Sequence, residues 1–195
     1  TIVYIPHFMS WVVAASIFSM ILSPTSAGLV NDVLMKLHLI TDNIYFLGDQ
    51  KWWRLSYYII NVWKDTGWGT IIFMATLAGI SPELYEAASM DGANRFQKMI
   101  YITLPALNNT IVTVLVLNLA KVMNLFESVF VLQNDAVIKV SDVLQTYIYT
   151  QTFNSGAIPD YGYTTAVGMF SSIISCILVL VCNRVSHKTR GRGIV

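Results

Sequence analysis

Charge is what this 195-residue chain has least of: 12% of its residues are Asp, Glu, Lys or Arg, while 55% are hydrophobic and the mean hydropathy is +0.58. Soluble domains carry about a quarter charged residues, so the scarcity points to a bilayer as the solvent. A net charge of +1 leaves no long-range field to gather nucleic acid. Cysteine is nearly absent. Cys176 and Cys182 sit six apart in one apolar run, which argues against a disulfide framework and for buried free thiols. There is no Gly-rich phosphate loop, no GxSxG and no metal-ligand spacing, and His7, His38 and His187 are scattered. No catalytic residue, metal site or cofactor is expected. The ten-residue alternation of an outer-membrane barrel is missing too. So are an initiator Met and a basic leader before "TIVYIPHFMSWVVAASIFSMIL", which starts almost inside a span. That is not a signal peptide, and further spans are expected upstream.

What is present is four apolar segments: Ile2–Leu22, Ser56–Ile80, Ala106–Phe126 and Tyr163–Cys182. Lipid offers no hydrogen bonds to the backbone, so each is expected to be a helix, and the fold class is an all-α polytopic membrane protein. Pro6 and His7 interrupt the first segment; Lys64, Asp65, Gly67 and Gly69 break the first half of the second. The tail "NRVSHKTRGRGIV" carries Arg184, Lys188, Arg190 and Arg192 and no acid, so residues 184–195 are expected on the cytoplasmic side. Four alternating spans then place Ser81–Pro105 inside, and Ser23–Leu55 and Gln133–Gly162 outside. The outer loops are rich in aromatics, among them Tyr45, Phe46, Trp52, Trp53, Tyr57, Tyr147, Tyr149, Phe153 and Tyr161, which suit segments lying at the headgroup level.

The inner loop, "PELYEAASMDGANRFQKMIYITLP", is unusually polar for this chain, with Glu83, Glu86, Asp91, Arg95 and Lys98. Ser81 followed by Pro82 reads as a cap and first helical position. Gly92 permits the left-handed turn that ends the helix, "NRFQKMIYI" restarts one, and Pro105 is expected to end or kink it. A plain connector would need far fewer residues. A folded hairpin with small Ala87 and Ala88 on its surface reads as a docking element.

"EAASMDGANRFQKMIYITLP" closely resembles the EAA motif of bacterial ATP-binding-cassette importer permeases, with Glu86, Ala87, Ala88, Gly92, Ile102, Leu104 and Pro105 at the matching positions. The likeness extends to "YIPHFMSWVVAASIF", "TGWGTIIFMATLAGI" and "DYGYTTAVGMFSSIISCILVLVCNRVS". Within that group it looks most like carbohydrate and oligosaccharide permeases. The resemblance implies a type I, maltose-permease-like transmembrane domain over residues 1–195, present in part, in the bacterial plasma membrane. It implies that residues 81–106 form a coupling hairpin seated in a groove of an ATPase subunit. Glu86 would offer charge, Ala87 and Ala88 close contact and Gly92 the turn, with Asp91 and Ala93 flanking it. Partners implied are an ATP-binding cassette ATPase dimer, a second homologous permease, an extracytoplasmic solute-binding lipoprotein, a sugar or oligosaccharide, and membrane lipid. With no Walker A pattern here, ATP hydrolysis falls to the separate chain, and this one is a transport subunit rather than an enzyme.

Polar residues within spans mark pathways by default. Lys64, Asp65, Asn118, Lys121, Asn124 and Glu127 qualify, with Lys121, Asn124 and Glu127 at successive i,i+3 spacings expected to make one stripe. Likeness to maltose-type permeases adds Trp68 beside Asp65, and Asn124 through Glu127, as sugar-contacting stretches. Gly67 and Gly69 are read as irregular backbone lining a cavity. Lys64 and Asp65 also fit a bland role, snorkelling at the outer interface. The competing readings are a permease for another solute such as amino acids, an intramembrane enzyme, for which no convergent nucleophile and base occur, and a purely scaffolding subunit.

Overall fold

The structure, a computed structural model, describes residues 2–25, 28–154 and 160–190, with side chains as far as Arg184. Lys188 and Arg190 of the basic tail lie outside the described side chains, and Arg192 lies outside the described residues. Every regular element among the described residues is helical: a 3₁₀ segment Ile2–Phe8, then α1 (Trp11–Ile21), α2 (Leu29–Lys36), α3 (Gln50–Ala78), α4 (Pro82–Met90), α5 (Arg95–Lys98), a π-helical turn Met99–Thr103, α6 (Leu104–Val122), α7 (Glu127–Phe130), α8 (Ile138–Ser141), α9 (Leu144–Phe153) and α10 (Tyr161–Arg190). They group into two units, residues 1–66 with 123–174, and residues 67–122 with 175–195.

Of the four expected spans, two are long and apolar enough to cross a bilayer, Arg95–Val122 and Tyr161–Arg184. At 1.5 Å per residue the first measures about 42 Å against a hydrocarbon core of about 30 Å, so its polar end, Arg95 to Lys98, lies beyond the apolar layer. The Ile2–Leu22 segment is broken. The 3₁₀ segment containing Pro6 meets α1 at 113°, and only as a bent pair would the two count as a third span. Ser10 caps α1 at this corner by accepting from Val13 N. The Ser56–Ile80 segment forms part of α3, which runs unbroken for 29 residues through Lys64, Asp65, Gly67 and Gly69. The expected disruption there is absent: a glycine costs a helix about 1 kcal/mol, too little to break one held along its length. α3 is long enough to cross a bilayer, but among the described residues it is not counted with the helices apolar enough to do so.

The first unit has a packed core. Trp53, Tyr57 and Ile60 fall at i, i+4, i+7 on α3 and are all buried, joined by Ala15, Leu47, Val129, Leu132 and Val137. The Trp53 and Tyr57 rings stack with centroids 5.1 Å apart. Trp53 Nε1 donates to Leu132 O at 3.0 Å, and the Tyr57 and Ser128 hydroxyls share a hydrogen bond at 2.9 Å. Asn31, fully buried, donates to Ser23 O and Ile44 O and accepts from Ile44 N, pinning the loop between α2 and α3. The segments expected to lie flat on the membrane are thus in part a folded core. Phe46, Trp53 and Tyr57 are buried by protein, whereas Tyr45, Tyr58, Phe153, Tyr161 and Tyr163 stay exposed.

In the second unit only Gly67 and Val116 are buried among the described residues. Its apolar side chains, among them Leu115, Leu117, Ile177 and Leu180, face outward, and so does Cys176, while Cys182 is half-buried, so the thiols expected to be buried are not. One hydrogen bond between the Thr76 and Thr110 hydroxyls, at 2.8 Å, ties α3 to α6.

Candidate functional site: a capped hairpin

The hairpin of α4 and α5 is built by backbone and side-chain caps rather than by a core. Ser81 Oγ accepts from Glu83 N, Pro82 occupies the first helical position, and Glu83 complements the positive end of the helix dipole. At the other end Ala93 N donates to Ala88 O at 2.9 Å and Gly92 N to Ser89 O at 3.1 Å, the pair of bonds that defines a Schellman motif, with Gly92 at φ +77°. Asn94 then opens α5 with a reciprocal capping box: Gln97 N donates to Asn94 Oδ1 at 2.9 Å and Asn94 N to Gln97 Oε1 at 2.8 Å. Nothing lies within 4 Å of a Cβ built on Gly92. Glycine is required there by its dihedral angle alone.

Two side-chain bonds brace the limbs. The Tyr85 and Thr103 hydroxyls meet at 2.9 Å, and Lys98 Nζ donates to Ser89 Oγ at 2.5 Å. Motif matching passed over these four residues. The signal was available in hindsight: each bond joins residues on opposite limbs of a turn already predicted at Gly92. Pro105 does not end the helix. Arg95–Val122 runs on as one element, and the π turn before the proline, in which Leu104 N bonds Met99 O, widens the ladder where Pro105 brings no N–H.

Of the six residues read as coupling positions, Glu86, Ala87, Asp91 and Gly92 are exposed, and Ala88 and Ala93 half-buried. Around them stand exposed apolar side chains: Leu84, Met90 (89% exposed), Phe96 (64%) and Tyr101. α4 buries no residue at all. A braced hairpin that presents apolar side chains and the exposed carboxylates of Glu83, Glu86 and Asp91 has the chemistry of a docking element.

The expected pathway residues are divided between the two units. Asp65, Asn124 and Glu127 belong to the first unit, and Trp68, Asn118 and Lys121 to the second. The stripe of Lys121, Asn124 and Glu127 does not form, because α6 stops at Val122: Asn124 lies in the turn that follows and Glu127 begins α7. This turn is where the irregular backbone actually falls. The carbonyl of Met123 accepts from Gln145 Nε2 (3.2 Å) and Ser171 Oγ (3.4 Å), while Gln145 Nε2 also reaches Asn124 Oδ1 (3.3 Å). Side chains thus satisfy a backbone group that the broken helix leaves open. Asp65 instead approaches His7, Oδ1 to Nδ1 at 3.8 Å. Its neighbour Lys64 is buried, donates to His7 O at 3.3 Å and sits over the Trp11 ring at 5.0 Å. Trp68 and Asn118 are exposed on α3 and α6. In the first unit Tyr147 and Tyr163 share a hydroxyl contact at 3.3 Å, and the bond to Tyr163 pushes the Tyr147 phenol above its ordinary value.

The family model described as binding-protein-dependent transport system inner membrane component matches residues 1–191. Protein LplB of Bacillus subtilis (strain 168) is 40% identical over all of this chain and 59% of its own length. The polygalacturonan/rhamnogalacturonan transport system permease protein YteP of the same organism is 39% identical over the same shares. A crystal structure of a bacterial ABC transporter involved in import of the acidic polysaccharide alginate matches at TM-score 0.90 and 37% identity, covering 97% of this chain and 65% of that one. Another, of the bacterial alginate transporter with its pentasaccharide-bound periplasmic protein, matches at 0.91 and 36%, covering 100% and 66%. The chain therefore spans about three fifths of the length of these curated relatives.

Proposed function

The chain belongs to the binding-protein-dependent transport system inner membrane components, and on that premise we propose that it is a permease subunit of an ATP-driven importer, forming half of the pathway for a sugar or oligosaccharide. The observation that carries the coupling part is the braced, exposed hairpin. A lever must transmit displacement without bending, and the Schellman motif, the capping box and the two cross-limb bonds give residues 81–106 that stiffness without any core. The sugar class is supported by the printed names of the relatives, a polygalacturonan/rhamnogalacturonan permease and an alginate importer.

The mechanism runs from the ATPase inward. A separate ATPase dimer closes on ATP; the hairpin, seated in one subunit, moves with it, and the spans beyond Thr103 shift between inward- and outward-facing states. Only a difference in binding energy between the two states can drive that shift. Glu86 meets a basic residue of the ATPase, Ala87 and Ala88 allow close backbone approach, and Leu84, Met90 and Phe96 supply the apolar contact. A second homologous permease completes the pathway and an extracytoplasmic binding protein delivers the solute. The protein sits in the bacterial plasma membrane with the hairpin and basic tail in the cytoplasm. Asp65, Trp68, Asn118, Lys121, Asn124 and Glu127 are polar or aromatic positions through which solute contacts are made, three in each unit.

The test is ATPase stimulation by the solute-loaded binding protein in the reconstituted complex. Gly92→Val forces a β-branched residue to φ +77°, and Glu86→Lys reverses the docking charge. Both variants insert normally and drop to the basal ATPase rate. Full stimulation in both would overturn the coupling role.

A further inference from the structure

Near the start of α3 a cation stands at the head of an apolar stripe. Lys51, Leu55, Ile59 and Val62 fall at i, i+4, i+8 and i+11, on one face of the helix. Lys51 is exposed, and so are the three apolar side chains that follow it, at 51%, 57% and 66%. From Lys51 to Val62 the face runs about 16 Å at 1.5 Å per residue, close to half of a hydrocarbon core of about 30 Å, the depth of one leaflet. The stripe ends short of Asp65. Beside it, between α1, α2 and α3, lies a cavity of about 250 Å³ lined in part by Phe18, Leu22, Val30, Trp52, Leu55 and Ile59. Leu55 and Ile59 belong to both, so the cavity and the stripe are continuous. No charged side chain lines the cavity. The hydroxyl on its wall, that of Ser56, is buried and donates to Phe46 O at 3.3 Å and to Trp52 O at 3.0 Å. An ordered water needs about two to four polar partners, which these walls do not supply.

The charge sits at the lip of this cavity. Lys51 Nζ lies 5.9 Å from the centroid of the Trp52 ring, which forms part of the wall, and Lys51 makes no ion pair among the described residues. The acids at the start of α3 and on α2 are engaged elsewhere: Asp49 Oδ1 accepts from Lys51 N at 2.9 Å, and Asp32 pairs with Lys36 at 2.7 Å. Arg54, three residues on, is exposed and donates from Nε to Val140 O at 3.2 Å. We infer that this groove binds one anionic phospholipid, its phosphate on Lys51 and an acyl chain laid through the cavity and along Ile59 and Val62. The two parts of the site match the two parts of the ligand. A cation near the membrane surface attracts an anionic headgroup, and an apolar hollow opening on an apolar stripe is filled by hydrocarbon rather than by solvent. Trp52 stands between them, where an indole fits the boundary between headgroup and chain. A zwitterionic lipid brings its own cation against Lys51 and gains less. The bound lipid completes the packing of α1, α2 and α3 that the core of the first unit leaves open. The site needs a bilayer around this part of α3 and is independent of the solute carried.

The experiment uses the assembled transporter in phosphatidylcholine nanodiscs. The probe is a trace of phosphatidylglycerol with a diazirine in one acyl chain, cross-linked by light and located by peptide mass spectrometry. Phosphatidylcholine with the same diazirine is the parallel probe. The phosphatidylglycerol label concentrates on the stretch from Leu55 to Val62 and on the α1 or α2 wall, above the level of the phosphatidylcholine label, and unlabelled phosphatidylglycerol displaces it. Lys51→Gln weakens phosphatidylglycerol about fivefold, the contribution of one cation near a membrane surface, and leaves the phosphatidylcholine label unchanged; Lys51→Arg retains binding. Ile59→Trp adds bulk at an exposed position on the mouth of the cavity and lowers the label, with thermal unfolding confirming an intact fold. Equal labelling by the two probes would reduce the site to ordinary contact with surrounding lipid. A label unchanged in Lys51→Gln would remove the headgroup role, and no label here in the wild type would mean that protein covers the groove in the assembly. Each of these results overturns the inference. ATPase stimulation is read separately, so the transport reading and the lipid site fail independently.

Discussion

The two units of this chain solve the same problem, holding helices in place, in opposite ways. The first buries Trp53, Tyr57, Ile60 and Val129 and crosses its long loops with hydrogen bonds from Trp53, Asn31 and Asn134. Every buried polar side chain among the described residues belongs to it, from Asn31 to Ser171. The second buries almost nothing and relies on caps, a turn and a few hydroxyl pairs. The first unit packs part of its apolar surface on itself. The second, which exposes Leu115, Leu117, Met90 and Phe96, is complete only against lipid or another protein. Stiffness in the hairpin and openness of its surface are therefore not in conflict: the caps make it rigid, and the missing core leaves its side chains free to dock.

The contrast can be broken most directly by truncating one residue of each kind. Trp53→Ala removes a buried indole and its bond to Leu132, a cost of about 3–5 kcal/mol, whereas Ile177→Ala, on an outward face of α10, costs little. Thermal unfolding of the reconstituted protein reads both, and equal losses would dissolve the distinction between the units. Next comes Asn31→Ala, which leaves Ile44 N and two carbonyls without their partner, at about 2–3 kcal/mol. In the second unit the hydroxyl pair of Thr76 and Thr110 joins two helices. Thr110→Val is expected to cost about 0.6 kcal/mol, the average for such bonds in membranes, and a loss as large as that of Asn31→Ala would mean that α3 and α6 hold each other far more tightly than the outward-facing side chains indicate. The smallest effect is on titration. Tyr163→Phe removes the hydroxyl that raises the Tyr147 phenol, so the Tyr147 value falls back toward the ordinary one, read by ultraviolet titration. Because the raised value favours the protonated form in the folded state, this contribution is complete below the ordinary phenol range and fades as pH climbs through the raised value.

The hairpin was legible in the sequence almost to the residue. Ser81, Pro82, Gly92 and Asn94 act through their own backbone neighbours, and local chemistry of this kind does not depend on the rest of the fold. The spans were half legible. Apolar length identified Arg95–Val122 and Tyr161–Arg184. It misjudged Ile2–Leu22, where a 113° corner interrupts the run, and α3, where two glycines and a Lys-Asp pair failed to break the helix. The polar stripe was least legible. Helical spacing put Lys121, Asn124 and Glu127 on one stripe, but α6 ends at Val122.

Composition and local pattern alone decided that this chain is helical, that it belongs in a bilayer, and that a capped hairpin bends at Gly92, since each follows from the solvent a residue prefers or the dihedral angles it tolerates. Only tertiary structure decided that the aromatic outer segments enclose a core, that the break in α6 is closed by Gln145 and Ser171, and that Asn134 ties back to Leu47. Those outcomes join residues tens of positions apart, and whether such groups meet is set by packing, which no spacing along the chain encodes.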